Sequence, residues 1–395
     1  MKLLVVVSSL DLTQPYSATP AWWQLLKALY EENVEVLATT YQGAAVESLW
    51  WRALPNPVKG FGDTFKALKD VAGRFKRGTK AAAVETGQGG ESSADRLQRT
   101  LAQRVILPRW KAFMTKHLTA HPDVDAVIFL TIPLNHVVGL AAFIRERFAK
   151  PVFYYDGDVP ASLPEFAGFS SGFKMYPGAD LGEYEAFLSN SLGGCETLLK
   201  MGARAAYPLY YGADPDLFSP VAAAQDVDVF FYGHTREYRE AWIDGMLRDA
   251  SHALPAARFA VRGRGLGDLG RTTMLPYLSF SKLREYACRS RINLVITRQA
   301  HASVVASSSS RPFELGAMGA AMVCNPYAGI ETWFEPEKEL VVVQTPAEAV
   351  ERYRWLLSHE SARAAMGAAA RARVLAEHTF RHRARALIAI VRGTG

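Results

Sequence analysis

Ile292-Asn-Leu-Val-Ile-Thr-Arg298, a polar loop with His301 and Ser307 to Ser310, and then Arg311-Pro-Phe-Glu-Leu-Gly-Ala-Met-Gly-Ala-Ala-Met-Val-Cys-Asn325 read as strand, serine-rich turn, helix and strand. Pro312 suits the first turn of a helix, and Ser309 or Ser310 is placed to cap its free N–H groups. A helix start of this kind, with unpaired amides at the positive end of a dipole, is a seat for phosphate. Arg311 and Arg298 can add charge-assisted bonds to a diphosphate, and Glu314 can accept the hydroxyls of a ribose. Gly316, Gly319 and the alanines let the helix lie close to a sheet. A plainer reading stays open for each: Glu314 as a first-turn carboxylate favoured by the dipole, the two arginines as surface charges, the serines as a loose loop.

The same rhythm extends outward in both directions. β-rich runs at Leu3–Val7, Val34–Ala38, Ala126–Leu130 and Val152–Tyr155 alternate with helical stretches, as in βαβ units on a parallel sheet. After the turn Asp214-Pro-Asp-Leu-Phe-Ser-Pro220 a second series follows at Val227–Tyr232, Arg258–Val261, Ile292–Thr297, Ala321–Cys324 and Leu340–Val343. Helices are expected at Ser279–Cys288, Ala347–Leu357, Ser361–Ala376 and Arg381–Val391. The expected division is an N-terminal α/β domain over 1–212, a C-terminal one over 213–380, and a last helix over 381–395.

Composition agrees with a two-domain globular chain. It has 395 residues, 49% hydrophobic and 21% charged, which excludes disordered and collagen-like classes. Lysine and arginine exceed the acids by 45 to 39, a mild bias towards anionic partners. Three scattered cysteines with no CxxC pair argue against a disulfide framework or a structural zinc site, and a reducing cytoplasm is the expected setting. The apolar start reads as a buried strand, not a signal peptide. The charge-free window Ala126–Ile144 has Pro133, Asn135 and His136 at its centre, so strand, turn and helix are expected there in place of a membrane span.

Residues 59–111 interrupt the first domain as a basic helical insertion, with twelve Lys/Arg against five acids and a net of +7. It reads either as a solvated helical face or as a peripheral docking surface for an anionic membrane or charged acceptor. Nucleic-acid binding is a weaker third option and no nucleic-acid partner is expected. Gly265-Leu-Gly-Asp-Leu-Gly270 fits GxGxxG, but Arg271-Thr-Thr-Met-Leu-Pro276 follows where a dinucleotide site needs a helix, so no nicotinamide or flavin is expected. In the first domain Asp156 and Asp158 end a strand beside Gly157, where they serve either as turn formers or as ligand-side carboxylates. His136, at the start of a helix, is either a cap residue or a second candidate for proton transfer. Trp22, Trp23, Trp50 and Trp51 read first as core.

The stretch from Arg311, with Gly329-Ile-Glu-Thr-Trp-Phe334 and Lys338-Glu-Leu-Val-Val-Val343, resembles the donor-binding half of GT-B glycosyltransferases of group 1. The likeness is greatest to the spore-maturation-protein-like (CgeB-type) group. Tyr211-Gly-Ala-Asp-Pro-Asp-Leu-Phe-Ser-Pro220, Asp228-Val-Phe-Phe-Tyr-Gly-His234 and Glu377-His-Thr-Phe380 are similar to the family's interdomain passage and end. The resemblance covers about residues 185 to 391.

It implies two Rossmann-like domains facing across a cleft, and sugar transfer from a nucleotide-diphosphate donor without a metal or other cofactor. It also implies a cytoplasmic, at most peripherally membrane-bound, enzyme whose last helix returns to the first domain. Donor contacts fall on Gly233, Arg298, Ser310, Arg311, Phe313 and Glu314. Arg239 stands where relatives place a lysine that neutralises the leaving diphosphate, and His234 stands where they place an arginine. Asp156 is the catalytic candidate of the acceptor domain, with Asp158 and His136 on the acceptor. Retaining relatives carry a glutamate eight positions before Glu314, where this chain has Ala306. That departure leaves open both the retaining outcome and a non-catalytic scaffold that binds sugar.

Overall fold

The computed structural model of the chain describes residues 1–12, 19–60, 93–163, 175–234, 236, 238–276 and 282–393. They divide into two units, Met1–Ser189 with Cys195–Pro208, and Asn190–Gly194 with Leu209–Gly395. Each unit is built on one parallel sheet.

The first sheet has seven strands: β1 (Lys2–Val7), β2 (Glu35–Thr40), β3 (Arg52–Ala53), β4 (Ala126–Leu130), β5 (Val152–Asp156), β6 (Ala186–Ser189) and β7 (Ala206–Pro208). Their order is β3-β2-β1-β4-β5-β6-β7, so the sheet reverses direction of growth between β1 and β4. β1 after Lys2 and β4 along its whole length are apolar because both faces of the sheet are covered. The helix Thr19–Glu31 buries Trp22, Leu25, Leu26 and Leu29, one stripe at helical spacing. It ends before Asn33, whose φ of 60° places it in the left-handed region that closes helices.

The helix Ser93–Ala120 starts inside the stretch read as a basic insertion. Its Trp110, Phe113, Met114 and Leu118 belong to the core of the first unit, while Arg96 and Arg104 are exposed. The charge of this helix is therefore the outer face of a core element. The rest of that expectation, at 61–92, lies outside the described residues. The charge-free window is β4, the 3-10 turn Leu134–His136 and the helix Leu140–Phe148. Among the described residues no helix is long and apolar enough to cross a membrane.

The second sheet has six strands: β8 (Val227–His234), β9 (Phe259–Arg264), β10 (Thr273–Met274), β11 (Ser290–Val295), β12 (Met322–Cys324) and β13 (Val341–Val342). The order β10-β9-β8-β11-β12-β13 again reverses at one point, between β8 and β11. In doubly wound sheets ligands bind outside the carboxyl ends of the strands at this switch. Helices Pro346–Ser358, Glu360–Glu377 and Phe380–Val391 follow the sheet. In the last of these, Phe380 N donates to Ala213 O and Arg383 Nε to Tyr211 O, at 3.1 and 3.0 Å.

Gly265, Gly267 and Gly270 form a loop with positive φ that leads to β10, not to a helix. A Cβ on Gly270 would press on His252, Ser251 and the Arg248 carbonyl, so that glycine serves packing. The expected helix Ser279–Cys288 is described as Leu283–Cys288, and 277–281 lie outside the described residues. None of the three cysteines is in a disulfide.

Candidate functional site

β8 ends in Tyr232-Gly233-His234 at the switch point of the second sheet. Glycine is required at 233, because a Cβ there would lie 2.8 Å from the Phe231 ring and 3.1 Å from Nη2 of Arg311. The facing Gly263 of β9 has even less room, since a Cβ would run into the Gly233 carbonyl oxygen.

The helix Ser310–Ala317 points its start at this corner. Ser309 is its N-cap in extended conformation and makes no side-chain cap bond, so Ser310 opens the helix and Pro312 is its third residue. Arg311 reaches across both strands of the switch. Its Nε donates to Tyr232 O at 3.0 Å and its Nη1 to Ile296 O at 3.1 Å. Arg239, preceding the helix Glu240–Ile243, donates from Nη1 to the same Ile296 O at 2.9 Å and from Nη2 to His234 O at 2.5 Å. The two guanidinium groups also share the Phe231 ring, at 5.4 Å for Arg239 and 5.0 Å for Arg311.

Two cations thus converge on one carbonyl. Burial, then the charges of Arg311 and Arg298, push Arg239 well below the ordinary arginine range. Burial likewise lowers Arg311, with Tyr232 and Glu314 opposing. His234 is pushed down to about 4, first by burial and then by Arg262, Arg239, Arg311 and Arg264. It is therefore neutral near pH 7 and adds no third charge. An anion placed here would relieve this mutual repulsion.

Glu314 is only 5% exposed and accepts from Tyr232 Oη at 2.6 Å. Burial raises its carboxyl, against the pull of the Tyr232 bond and Arg311. Arg298 is the extended N-cap of the short helix Gln299–Ser303 and is partly buried. Phe313 is fully buried and packs on Trp333, Phe334 and His378, so its ring faces the core.

The serine loop is not loose. Ser307 and Ser308 are fully buried. His301 Nδ1 lies 2.8 Å from Ser307 Oγ, Ser308 Oγ donates to Asn190 O, and Tyr211 N donates to Ser308 Oγ. Asn325 binds the backbone of Thr297, joining the loops after β11 and β12.

The remaining candidates lie in the first unit, at the ends of β4 and β5. Asp156 is fully buried. Its Oδ2 accepts from Ser162 Oγ and Tyr176 Oη, each at 2.5 Å, and its Oδ1 from Asp158 N at 2.9 Å. Burial raises it to about 6 even against these bonds. Asp158 is partly buried. His136, also partly buried, has Nδ1 2.8 Å from Tyr41 Oη, and burial pushes it down to about 4.

Gly233, His234, Arg239, Arg311 and Glu314 are therefore brought to one corner of one unit, while Asp156, Asp158 and His136 belong to the other. Sequence reasoning passed over Tyr232, the Ile296 carbonyl, Tyr41, Ser162 and Tyr176. Tyr232 had one signal, a polar ring that follows the apolar centre Val229–Phe231 of its strand.

Two parallel α/β domains of this order define the GT-B fold. Residues 236–389 match the sequence model of the glycosyl transferase-like family. The chain is similar in structure to sucrose-phosphate synthase from Thermosynechococcus elongatus, with a TM-score of 0.65 at 13% identity over 100% of this chain and 99% of that one. Trehalose-6-phosphate synthase OtsA gives 0.63 at 12% identity over 99% of both chains. HepE from Anabaena, solved in complex with UDP and glucose, gives 0.60 at 12% identity over 100% of both. Among curated proteins none matches the chain in sequence.

Proposed function

We propose that the chain is a glycosyltransferase that takes a sugar from a nucleotide-diphosphate donor held by the second unit. The observation that carries this reading is the convergence of Arg239 and Arg311 on the Ile296 carbonyl at the β8/β11 switch. As the sugar leaves, negative charge gathers on the diphosphate, and fixed cations beside helix amides stabilise it without rearrangement. In this reading the two arginines, with Arg298, supply the charge a divalent metal would otherwise bring, and the reaction is metal-independent. His234 contributes a neutral hydrogen bond. Glu314 takes the ribose. UDP in the HepE complexes makes a uridine diphosphate sugar the first donor to test.

On the acceptor side the reading assigns Asp158 and His136 to contact. Asp156, the catalytic candidate of this domain, acts by positioning Asp158, whose N donates to its Oδ1. The net charge of +7 over 59–111 supports contact with an anionic membrane surface, checked by salt-sensitive co-sedimentation with phosphatidylglycerol vesicles. The motifs at Arg311 and Gly329 support placing the chain near the spore-maturation-protein-like group.

Uridine, guanosine, thymidine and cytidine diphosphates should be screened by thermal shift. At least one is expected to raise the melting temperature and to lose affinity in Glu314→Ala. No shift with any of them ends the proposal. A second reading, a sugar-binding scaffold without turnover, is favoured by Ala306. That residue is fully buried at φ 47°, with its N donating to Ala328 O, and offers no carboxylate. Donor-dependent release of nucleoside diphosphate decides for the enzyme and a retained product for transfer with retention; binding without release decides for the scaffold.

A further inference from the structure

The second unit has a pocket at the amino ends of its strands, away from the carboxyl-end corner where Arg311 and Arg239 meet. Cys288 closes the helix before β11, Arg291 is the second residue of β11, Met318 and Ala321 lead into β12, and Glu360 and Arg363 come from the start of the helix Glu360–Glu377. The pocket measures about 230 Å³. An apolar cavity of about 150 Å³ is enough to hold a benzene ring.

Arg363 is only 7% exposed, and its hydrogen bonds run from Nη1 alone, to the Leu356 and Leu357 carbonyls at the end of the helix Pro346–Ser358. Its Nε and Nη2 have no hydrogen-bond partner among the described residues and are not sealed off by neighbours, so they open into the pocket. Burial and then Arg291 lower this guanidinium from the ordinary arginine range, with Glu360 and Asp228 opposing. Arg291 donates from Nη1 to Asp228 Oδ1 at 2.7 Å, and among the described residues its other nitrogens make no hydrogen bond. Asp228, which also accepts from Arg258 N, is not part of the wall. Among the described residues the wall has one carboxylate, that of the exposed Glu360. Two cations and one carboxylate leave a net charge of +1 around a pocket whose other side is the apolar Met318 and Ala321.

We infer that this pocket is a second binding site, for a small organic monocarboxylate whose head lies on Arg363 and Arg291 and whose short apolar body lies on Met318 and Ala321. A guanidinium fork matches the two oxygens of a carboxylate. One negative charge balances the wall, whereas a phosphate dianion would overshoot it and meet Glu360.

Iodoacetate and iodoacetamide differ by one charge and hardly in size, and Cys288 Sγ, in the same wall, can displace iodide from either. Alkylation of the full chain is followed by peptide mass spectrometry, which separates Cys288 from the buried Cys195 and Cys324. The buffer is alkaline, since burial raises the Cys288 thiol. The iodoacetate rate should saturate with concentration and be slowed by butyrate but not by butyramide. Its ratio to the iodoacetamide rate should exceed that of Cys288 in the urea-unfolded chain by about tenfold, the worth of one hydrogen bond to a charged group. Arg363→Met should abolish both saturation and protection. Glu360→Gln, at an exposed position, should tighten butyrate by about two- to threefold. A rate linear in iodoacetate, a ratio equal to that of the unfolded chain, or an Arg363→Met variant that behaves as the wild type overturns the inference. Protection by glycerol phosphate and not by butyrate also overturns it. Should Arg363→Met not fold, Glu360→Gln decides, and unchanged butyrate protection there overturns the inference. Should Cys288 resist both reagents, saturation-transfer NMR decides: binding of butyrate alone supports the site, and binding of butyrate and butyramide alike, or of neither, refutes it.

Discussion

Arg311→Lys keeps the charge at the switch point and removes the fork. The guanidinium makes two bonds, to Tyr232 O and Ile296 O, and lies over the Phe231 and Tyr232 rings. A lysine ammonium is a single compact donor on a flexible stem and reaches one of these carbonyls at a time. One charge-assisted bond is lost, about 1.5–3 kcal/mol, with about 0.5–1 kcal/mol of cation–π contact. At about 2–4 °C per kcal/mol for a unit of this size, the melting transition of the second unit should fall by about 4–16 °C. Affinity for the diphosphate should fall by about 10- to 100-fold, because the bidentate presentation is gone while the charge remains. Differential scanning calorimetry reads the first effect and titration calorimetry the second. A lowered melting point with unchanged diphosphate affinity would make Arg311 a staple between two strands and nothing more, and would remove the observation on which the donor site rests.

The other expectations are these. Gly263→Ala forces the ends of β8 and β9 apart at Gly233, costing about 2–4 kcal/mol and weakening diphosphate binding with it; a variant that melts and binds as the wild type refutes the close approach. Asp156→Asn turns an amide N–H₂ towards at least one of the three groups that donate to the carboxylate, so it should lower stability by about 1–3 kcal/mol yet leave diphosphate affinity in the other unit within about twofold. A large loss of nucleotide binding there would contradict the assignment of roles.

Stability should also fall on acidification. His136 and His234 are held down to about 4 and His378 to about 3, so the stability they confer is complete above their unfolded value of 6.5 and is lost as the pH falls towards 4. Asp156, raised to about 6 from 3.8, acts in the opposite sense and loses its contribution as the pH rises through 6. Burial raises Glu183 and Glu314 in the same sense as Asp156 and lowers His117 and His382 with the other three histidines, so five histidines oppose three carboxyls and urea melts between about pH 4 and 6 should show stability rising with pH. A flat profile would count against the buried, neutral histidines.

The fold was legible because parallel strands covered on both faces are largely apolar. Leu3–Val7, Ala126–Leu130 and Val227–Tyr232 lie within a residue or two of β1, β4 and β8. What escaped was short or disguised. β3 and β10 have two residues each, too few for any periodicity. The helix Ser93–Ala120 hid its core stripe behind arginines and Pro108. At the site, Gly233, Arg311 and Glu314 were readable because turn geometry and helix starts constrain residue type. The partner of Glu314 was not, since Tyr232 lies 82 positions away and only the strand order brings it near. Phe313 sits two positions from Arg311, and only the rotation of the helix sends its ring to Trp333 in place of a ligand.

Ser307 and Ser308 carry a wider lesson. In the chain they sit in a run of four serines, yet both are fully enclosed, and Tyr327 Oη donates to the Ser307 carbonyl. Neither hydroxyl can meet an enzyme once the second unit has closed around it. A phosphoryl group found on either one would therefore date from before folding, and would mark polypeptide that never matured.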